Sequence, residues 1–558
     1  MKGKGIFRAL TAVAVFVLVG SLVAGPIMES YRQPIDTYFG ETSYRMEGSG
    51  QAEWIYQSEF KNQTEAIEGL RAFALQEALE SFVLLKNEEN ALPLNEGAKV
   101  TLLGLRSYAP VYGNSMGAAP DATVIADGNQ SYLAMQKAGL DINPAVTQKY
   151  KDWVKANGGN LTPAGELYAE YAGAGSSGPS ESGDLNLTGT DKAAEAKLAD
   201  LGLTAADYEG YQDAAIVIVG RPGGESKNYV TGGTDSTTTN IFGLSADEKA
   251  VIAEAKANFD KVILLVNSVN PLELKEVKED ADVDAILWIG YPGAYGFYAV
   301  PDVLCGKVAP SGHLGDIYIA NSAVSPAMVA FGGNGNVAWS NVAEFTPDDN
   351  VNSYLINEEG IYVGYRYFES RYADVVAGVN NAAAAKAGTY TNPDTTVATA
   401  DGTWEYANEV VYPFGYGMSY TTFEYSKPSV KVSGENITVS VTVKNTGSVS
   451  GKEIAQVYVS APAGQLEKPA QELKAFAKTR ELKPGESQVL TMQLKRCDLA
   501  SFDEANSQWL TEAGTYTFRI GASSRDIRNT VAVKVGQYTE KTSDALRPKH
   551  ELKLLKQQ

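Results

Sequence analysis

Three apolar runs of strand length constrain the fold of this 558-residue chain most: residues 214–219 (AAIVIV), 262–266 (VILLV) and 285–289 (AILWI). A strand with one wet face alternates polar and apolar positions. Runs with no polar position need cover on both faces, which the parallel sheets of α/β folds provide. Between the first two runs Ser245 opens a helix with Glu248 three residues on, a capping box, and Val251, Ile252 and Ala255 supply its inner face. Residues 99–104 (KVTLLG) form another short buried strand closing on glycine. Uniformly apolar strands alternating with amphipathic helices predict an α/β sandwich, a mostly parallel sheet flanked by helices.

Upstream, residues 65–82 have helical spacing, with Ile67, Leu70, Phe73, Ala74 and Ala78 near one face. From Glu424 the period changes to two. Ile437, Val439, Val441 and Val443 alternate with Thr438, Ser440 and Thr442, and further strands fall at 454–459, 489–494 and 515–520. Short alternating strands with turn signals predict an antiparallel β-sandwich. Residues 172–183 (AGAGSSGPSESG) lie in a Gly/Ser/Ala/Asn-rich stretch, 157–190, that reads as a flexible insertion. The tail after Thr539 is charged and reads as loose.

A net charge of −20 argues against nucleic acid and anionic membrane surfaces as partners. His313 and His550 are the only histidines, which nearly excludes a histidine-based nucleophile triad or a His-rich metal site. No metal or cofactor is expected, and hydrolytic chemistry would rest on carboxylates. Cys305 and Cys497 fall in different expected domains and read as two thiols, Cys305 buried, rather than a disulfide.

The N-terminus carries Lys2, Lys4 and Arg8, followed by an apolar run over 9–28. Twenty residues suffice to span a bilayer, and the preceding positive charges place the N-terminus in the cytoplasm and the remainder outside. The expectation is a single-pass anchor in the cell membrane with an extracellular C-terminal portion; a cleaved signal peptide and a secreted protein is the alternative.

Directly after the first apolar run comes residues 221–226 (RPGGES). A glutamate on a Gly-rich loop at the C-terminal end of a buried strand sits where α/β folds place chemistry. Glu225 is the candidate functional carboxylate of this loop, and Arg221 could steer it, with a structural ion pair as the equal alternative. Trp288 lies in an expected buried strand. Gly223-Gly224 lacks the spacing of a phosphate loop. Asp152-Trp153 lies in a polar, helix-like stretch and reads as helix surface.

The order and spacing of several motifs resemble glycoside hydrolase family 3, the β-glucosidases and relatives. The resemblance runs over roughly 65–538 and rests on residues 81–94 (SFVLLKNEENALPL), 221–226 (RPGGES), 288–293 (WIGYPG), 303–314 (VLCGKVAPSGHL), 359–368 (EGIYVGYRYF), 412–423 (YPFGYGMSYTTF) and 514–527 (GTYTFRIGASSRDI). It implies a C-terminal-type α/β sandwich domain over 65–320, a connecting region over 321–423 and a fibronectin-III-like domain over 424–538. Residues 1–8, 9–28, 29–64 and 539–558 are then the cytoplasmic segment, anchor, stalk and tail. The layout is similar to the rearranged branch of the family, in which these domains come first and the catalytic barrel last, and no part of this chain matches the barrel.

The resemblance further implies an O-glycosyl hydrolase acting on β-glucosides or related β-linked sugars by retaining double displacement. Such enzymes need two carboxyls about 5 Å apart. Glu225 matches the general acid/base, and no residue here matches the barrel's aspartate nucleophile. With a sugar as substrate, Arg221 could hold a sugar hydroxyl, and Tyr229, Trp288 and Tyr291 could stack on sugar. Expected partners are a carbohydrate and a barrel supplied in trans or lost by truncation. The loop departs from the family where Ser226-Lys227-Asn228 replaces a glycine and an acidic residue. A lysine so close favours the ionised form of Glu225, and a docked barrel could reverse that by desolvation. The alternative is a non-catalytic cell-surface module that binds carbohydrate or a partner.

Overall fold

The computed structural model describes residues 58–112, 131–157, 195–221, 242–322, 325, 359–375 and 406–545. The expected anchor at 9–28, most of the expected stalk and nearly all of the insertion lie outside the described residues. No helix among the described residues is long and apolar enough to cross a membrane.

The main sheet has six strands: β1 (Val83–Asn87), β2 (Lys99–Leu103), β3 (Asp141–Ile142), β4 (Ala214–Gly220), β5 (Val262–Asn267) and β6 (Ala285–Trp288). Their order is β1-β6-β5-β4-β2-β3. All neighbours run parallel except β1, which closes the β6 edge antiparallel. β4 and β5 are buried along their whole length, which is why no polar side chain interrupts their apolar runs.

The longer helices among the described residues are α1 (Gln63–Ser81), α2 (Ser131–Lys137), α3 (Pro144–Ala156), α4 (Ala246–Asn258) and α5 (Tyr365–Val375). α3 starts where Asn143 Oδ1 accepts the Ala145 and Val146 N–H groups. α4 starts at the expected capping box, with Ser245 and Glu248 bonded reciprocally. The expectation for α1 needs correction. Leu70 and Phe73 are exposed and Ala78 is its one buried residue, because the stripe read from spacing faces away from the sheet's core.

The chain then forms the β7 (Tyr318–Ile319) and β8 (Val410–Tyr412) pair and enters the β-sandwich. One sheet joins β9 (Phe423–Ser433), β10 (Asn436–Asn445) and β13 (Ser487–Lys495); the other joins β11 (Ile454–Ser460), β12 (Glu472–Lys478), β16 (Gly514–Gly521) and β17 (Ile527–Val535). Ile437, Val439, Val441 and Val443 all point into the core between the sheets, as their alternation requires. A small third sheet, β14 (Ser501–Asp503), β15 (Gln508–Thr511) and β18 (Tyr538–Lys541), corrects the reading of the tail. Residues 538–541 pair with β15, their charged side chains standing on an exposed strand.

α/β domain and sandwich meet along a seam of close-packed backbone. Gly312 donates its N–H to Phe82 O at 3.1 Å, Met418 to Leu84 O at 2.9 Å and Gly415 to Leu314 O at 3.0 Å. A Cβ on Gly312 would overlap the Ser81 carbonyl, and one on Gly417 the Gly312 carbonyl. Glu80 of α1 pairs with Lys452 and Lys478 of the sandwich.

His313 lies in this seam, its Nε2 3.5 Å from Glu453 Oε1, with neither ring nitrogen in a well-formed hydrogen bond. Desolvation pushes the imidazole down from 6.5 to about 4, helped by Lys478 and Arg528 and opposed by Asp526. Desolvation raises the Glu453 carboxyl from 4.5 to about 7, with Arg528 opposing. A depressed histidine loses stability as pH falls from 6.5 towards 4, because the unfolded chain takes the proton first. A raised glutamic acid loses stability as pH rises from 4.5 towards 7, because the unfolded chain releases its proton first. The two slopes oppose each other within that window. Relative to wild type, His313→Gln should therefore lose stability as pH rises between about 4 and 6.5, and Glu453→Gln should gain it between about 4.5 and 7. Each difference should amount to roughly 2–3 kcal/mol across its window. Denaturant melts at several pH values check this; profiles parallel to wild type would contradict it.

Candidate active-site crevice

Chain order reverses between β2 and β4: from β2 the chain adds β3 on one side, and β4, β5 and β6 follow on the other. Open α/β sheets bind ligands at such a switch point, outside the carboxyl ends of the strands. The segments leaving β2 and β4 here start at Gly104 and Arg221. Gly104 has φ +89°, and a Cβ there would lie 2.9 Å from the Ile218 carbonyl oxygen, so only glycine lets the two strand ends approach.

Arg221 is buried and its guanidinium is committed. Nη1 and Nη2 donate to Glu248 Oε1 and Oε2 at 2.6 and 2.8 Å, a bidentate pair. Nη1 also donates to Gly220 O, and Nη2 to Gly243 O at 2.7 Å. Glu248 Oε2 meanwhile accepts the Ser245 N–H at 2.8 Å. One ion pair thus fastens the end of β4, residue 243 and the start of α4. Tyr291 adds a bond from its hydroxyl to Arg221 O at 3.0 Å. Sequence spacing identified Glu248 as a capping residue and gave no sign of its partner 27 residues upstream.

Three further groups went unread in the sequence. Asn267, buried at the end of β5, accepts the Val111 N–H at 2.6 Å and donates to Val111 O and Gly290 O, tying three segments at this edge of the sheet. Its one available signal was a polar residue ending an apolar run. Arg106, fully buried, lies against Gly220; desolvation and then Arg221 lower its guanidinium to about 10. The Glu195 carboxyl accepts the Leu105 and Ala196 N–H groups at 2.8 Å. Desolvation lifts it to about 8 against those bonds, with Glu248 raising it further. Together these groups make a polar, largely buried floor beneath the switch point.

Of the expected site residues, Arg221 belongs to this floor, while Glu225 and Tyr229 lie outside the described residues. Trp288 packs against the core and donates its indole N–H to Ser268 O at 2.7 Å. Asp152 is exposed on α3, where it accepts from Gln148. Cys305 and Cys497 are both unpaired thiols; Cys305 is half-buried, a step short of the burial expected, and its desolvation raises the thiol.

Comparison with known proteins places this geometry. The glycosyl hydrolase family 3 C-terminal domain matches residues 82–420, and the fibronectin type III-like domain matches residues 453–524. Beta-glucosidase A of Butyrivibrio fibrisolvens is 32% identical over 471 residues, covering 81% of this chain and 49% of that protein. A beta-glucosidase of Ruminococcus albus is 28% identical over 483 residues, covering 84% and 41%. Among solved structures, beta-glucosidase 3B of Thermotoga neapolitana, in complex with α-D-glucose, superposes with a TM-score of 0.64 at 29% identity, covering 86% of this chain and 56% of that one. The chain belongs to glycosyl hydrolase family 3, through the C-terminal domain and the fibronectin-III-like domain of that family. It spans about half the length of the curated relatives it matches.

Removing one partner of a buried ion pair strands the other. Arg221→Met and Glu248→Leu should each destabilise the protein by about 3–5 kcal/mol, while the double variant should recover most of that loss. Chemical denaturation followed by circular dichroism measures both. Additive losses in the double variant would show that the two residues do not act as a pair.

Proposed function

We propose that this chain is a component of a retaining β-glucosidase of the extracellular surface, contributing Glu225 as the general acid/base. The carrying observation is the position of Arg221, the first residue of the Glu225-bearing segment, at the topological switch point of a family 3 sheet. β-Glucosidases are the relatives matched across four-fifths of the chain.

In this reading Glu225 protonates the glycosidic oxygen as the C–O bond breaks and a carboxylate from a catalytic barrel bonds to the anomeric carbon. Water then attacks that carbon, gives its proton to the Glu225 carboxylate, and releases the sugar and the barrel's carboxylate. Arg221 positions the segment through Glu248 and Gly243, and Tyr229 contacts the sugar. The nucleophile comes from a barrel supplied in trans or belonging to a longer form of the protein. The run 9–28, preceded by Lys2, Lys4 and Arg8, supports a membrane tether for the assembly.

Leaving-group dependence tests the acid. With a family 3 barrel supplied, Glu225→Gln should cut hydrolysis of cellobiose by about 10²–10⁴-fold. It should cut glycosylation by 2,4-dinitrophenyl β-glucoside far less, because that leaving group departs without a proton, and azide should restore turnover. The chain alone should be inactive on both substrates. Equal rates for variant and wild type on cellobiose would remove Glu225 from the mechanism and leave a binding module. In cells, the chain should resist carbonate extraction from membranes; release would favour the secreted form.

A further inference from the structure

The small sheet at the edge of the fibronectin-III-like domain carries two aromatic rings in the open. Phe502 on β14 and Trp509 on β15 are cross-strand partners, 43% and 44% exposed, with ring centroids 5.2 Å apart and planes at 66°. Their neighbours in the same sheet, Leu510 and Asp503, are buried, as period two requires. The sheet could have presented polar residues at both exposed positions, yet it presents the two most costly side chains to leave in water.

The polar groups beside the rings define the ligand chemistry. Trp509 is paired across the sheet with Glu540 of β18. The Tyr538 hydroxyl donates to Glu540 Oε2 at 2.5 Å, orienting a carboxylate that has several more acceptor sites. The connecting turn is held rigid. Asp503 accepts the Asn506 N–H at 3.2 Å and the Asn506 and Gln508 carboxamides at 2.8 Å each, so the rings stand on a preformed support.

Size and charge then select the occupant. At these exposures the two rings offer roughly 200 Å² of apolar surface, well below the 800 Å² or so that each partner of a stable protein interface buries. They match one or two pyranose rings, whose C–H faces are apolar and whose hydroxyl rims donate hydrogen bonds. An oriented carboxylate at the rim, on a chain of net charge −20, accepts from hydroxyls and repels anions. The geometry points to a binding site for a neutral β-linked glucan chain on the β14–β15–β18 sheet, with a pyranose stacked on Trp509, Phe502 as its wall and Glu540 as hydrogen-bond acceptor. The site goes beyond the hydrolytic reading and does not depend on Glu225.

Native affinity electrophoresis of the full chain in mild detergent tests this, with soluble mixed-linkage β-glucan as the probe and polygalacturonate as the acidic control. Wild type should be retarded by β-glucan and not by polygalacturonate. Trp509→Ala should weaken binding on the order of tenfold or more, and Trp509→Tyr should restore part of it. Glu540→Gln should give a smaller loss. Circular dichroism confirms that the exposed substitutions leave the fold intact. Wild type unretarded by β-glucan, or Trp509→Ala retarded equally, would overturn the proposal. So would size-exclusion chromatography showing a wild-type dimer that Trp509→Ala dissolves, since the rings would then face a second copy.

Discussion

The buried ion pair between Arg221 and Glu248 is the interaction on which the order of the switch point depends. Burying two charges is costly, and their attraction repays it only with near-ideal geometry and further hydrogen bonds. Both conditions hold: the pair is bidentate, Glu248 also accepts the Ser245 N–H, and Arg221 also donates to Gly220 and Gly243. A hydrophobic pair could fill the same volume, but it would not fix residues 221, 243 and 245 in one orientation. The arrangement gives directional hold at the switch point, where the chain leaves the sheet.

A second constraint couples this domain to the sandwich. Glycines at 312 and 417 let three backbone segments stack where side chains would overlap. Around that contact, Glu80 binds two lysines of the sandwich, and α5 joins it through Tyr365, stacked on Phe414 at 4.1 Å. Through this seam the edge strand β1 and the fibronectin-III-like domain behave as neighbours in one packed structure.

The sequence made the architecture legible where physics acts locally. Runs without a polar residue announced β4 and β5, the Ser245–Glu248 spacing announced the start of α4, and strict alternation announced β10. Long-range pairing escaped it. Nothing near Arg221 shows that it meets Glu248, and nothing near Asn267 shows that it closes on Val111 and Gly290. Residues 539–541 read as charged tail because an exposed edge strand needs no apolar pattern. The helical stripe containing Leu70 and Phe73 was real as spacing and wrong as burial. Glu225 rests on its loop and the family resemblance alone, and it lies outside the described residues.

The proposed division of labour has this chain giving the acid and a barrel giving the nucleophile. Trapping the glycosyl-enzyme tests it most directly. An active assembly treated with a 2-deoxy-2-fluoroglucosyl fluoride should acquire one covalent sugar, located by peptide mass spectrometry. The label should fall on a barrel carboxylate outside residues 1–558. A label on any carboxylate within this chain would contradict the account.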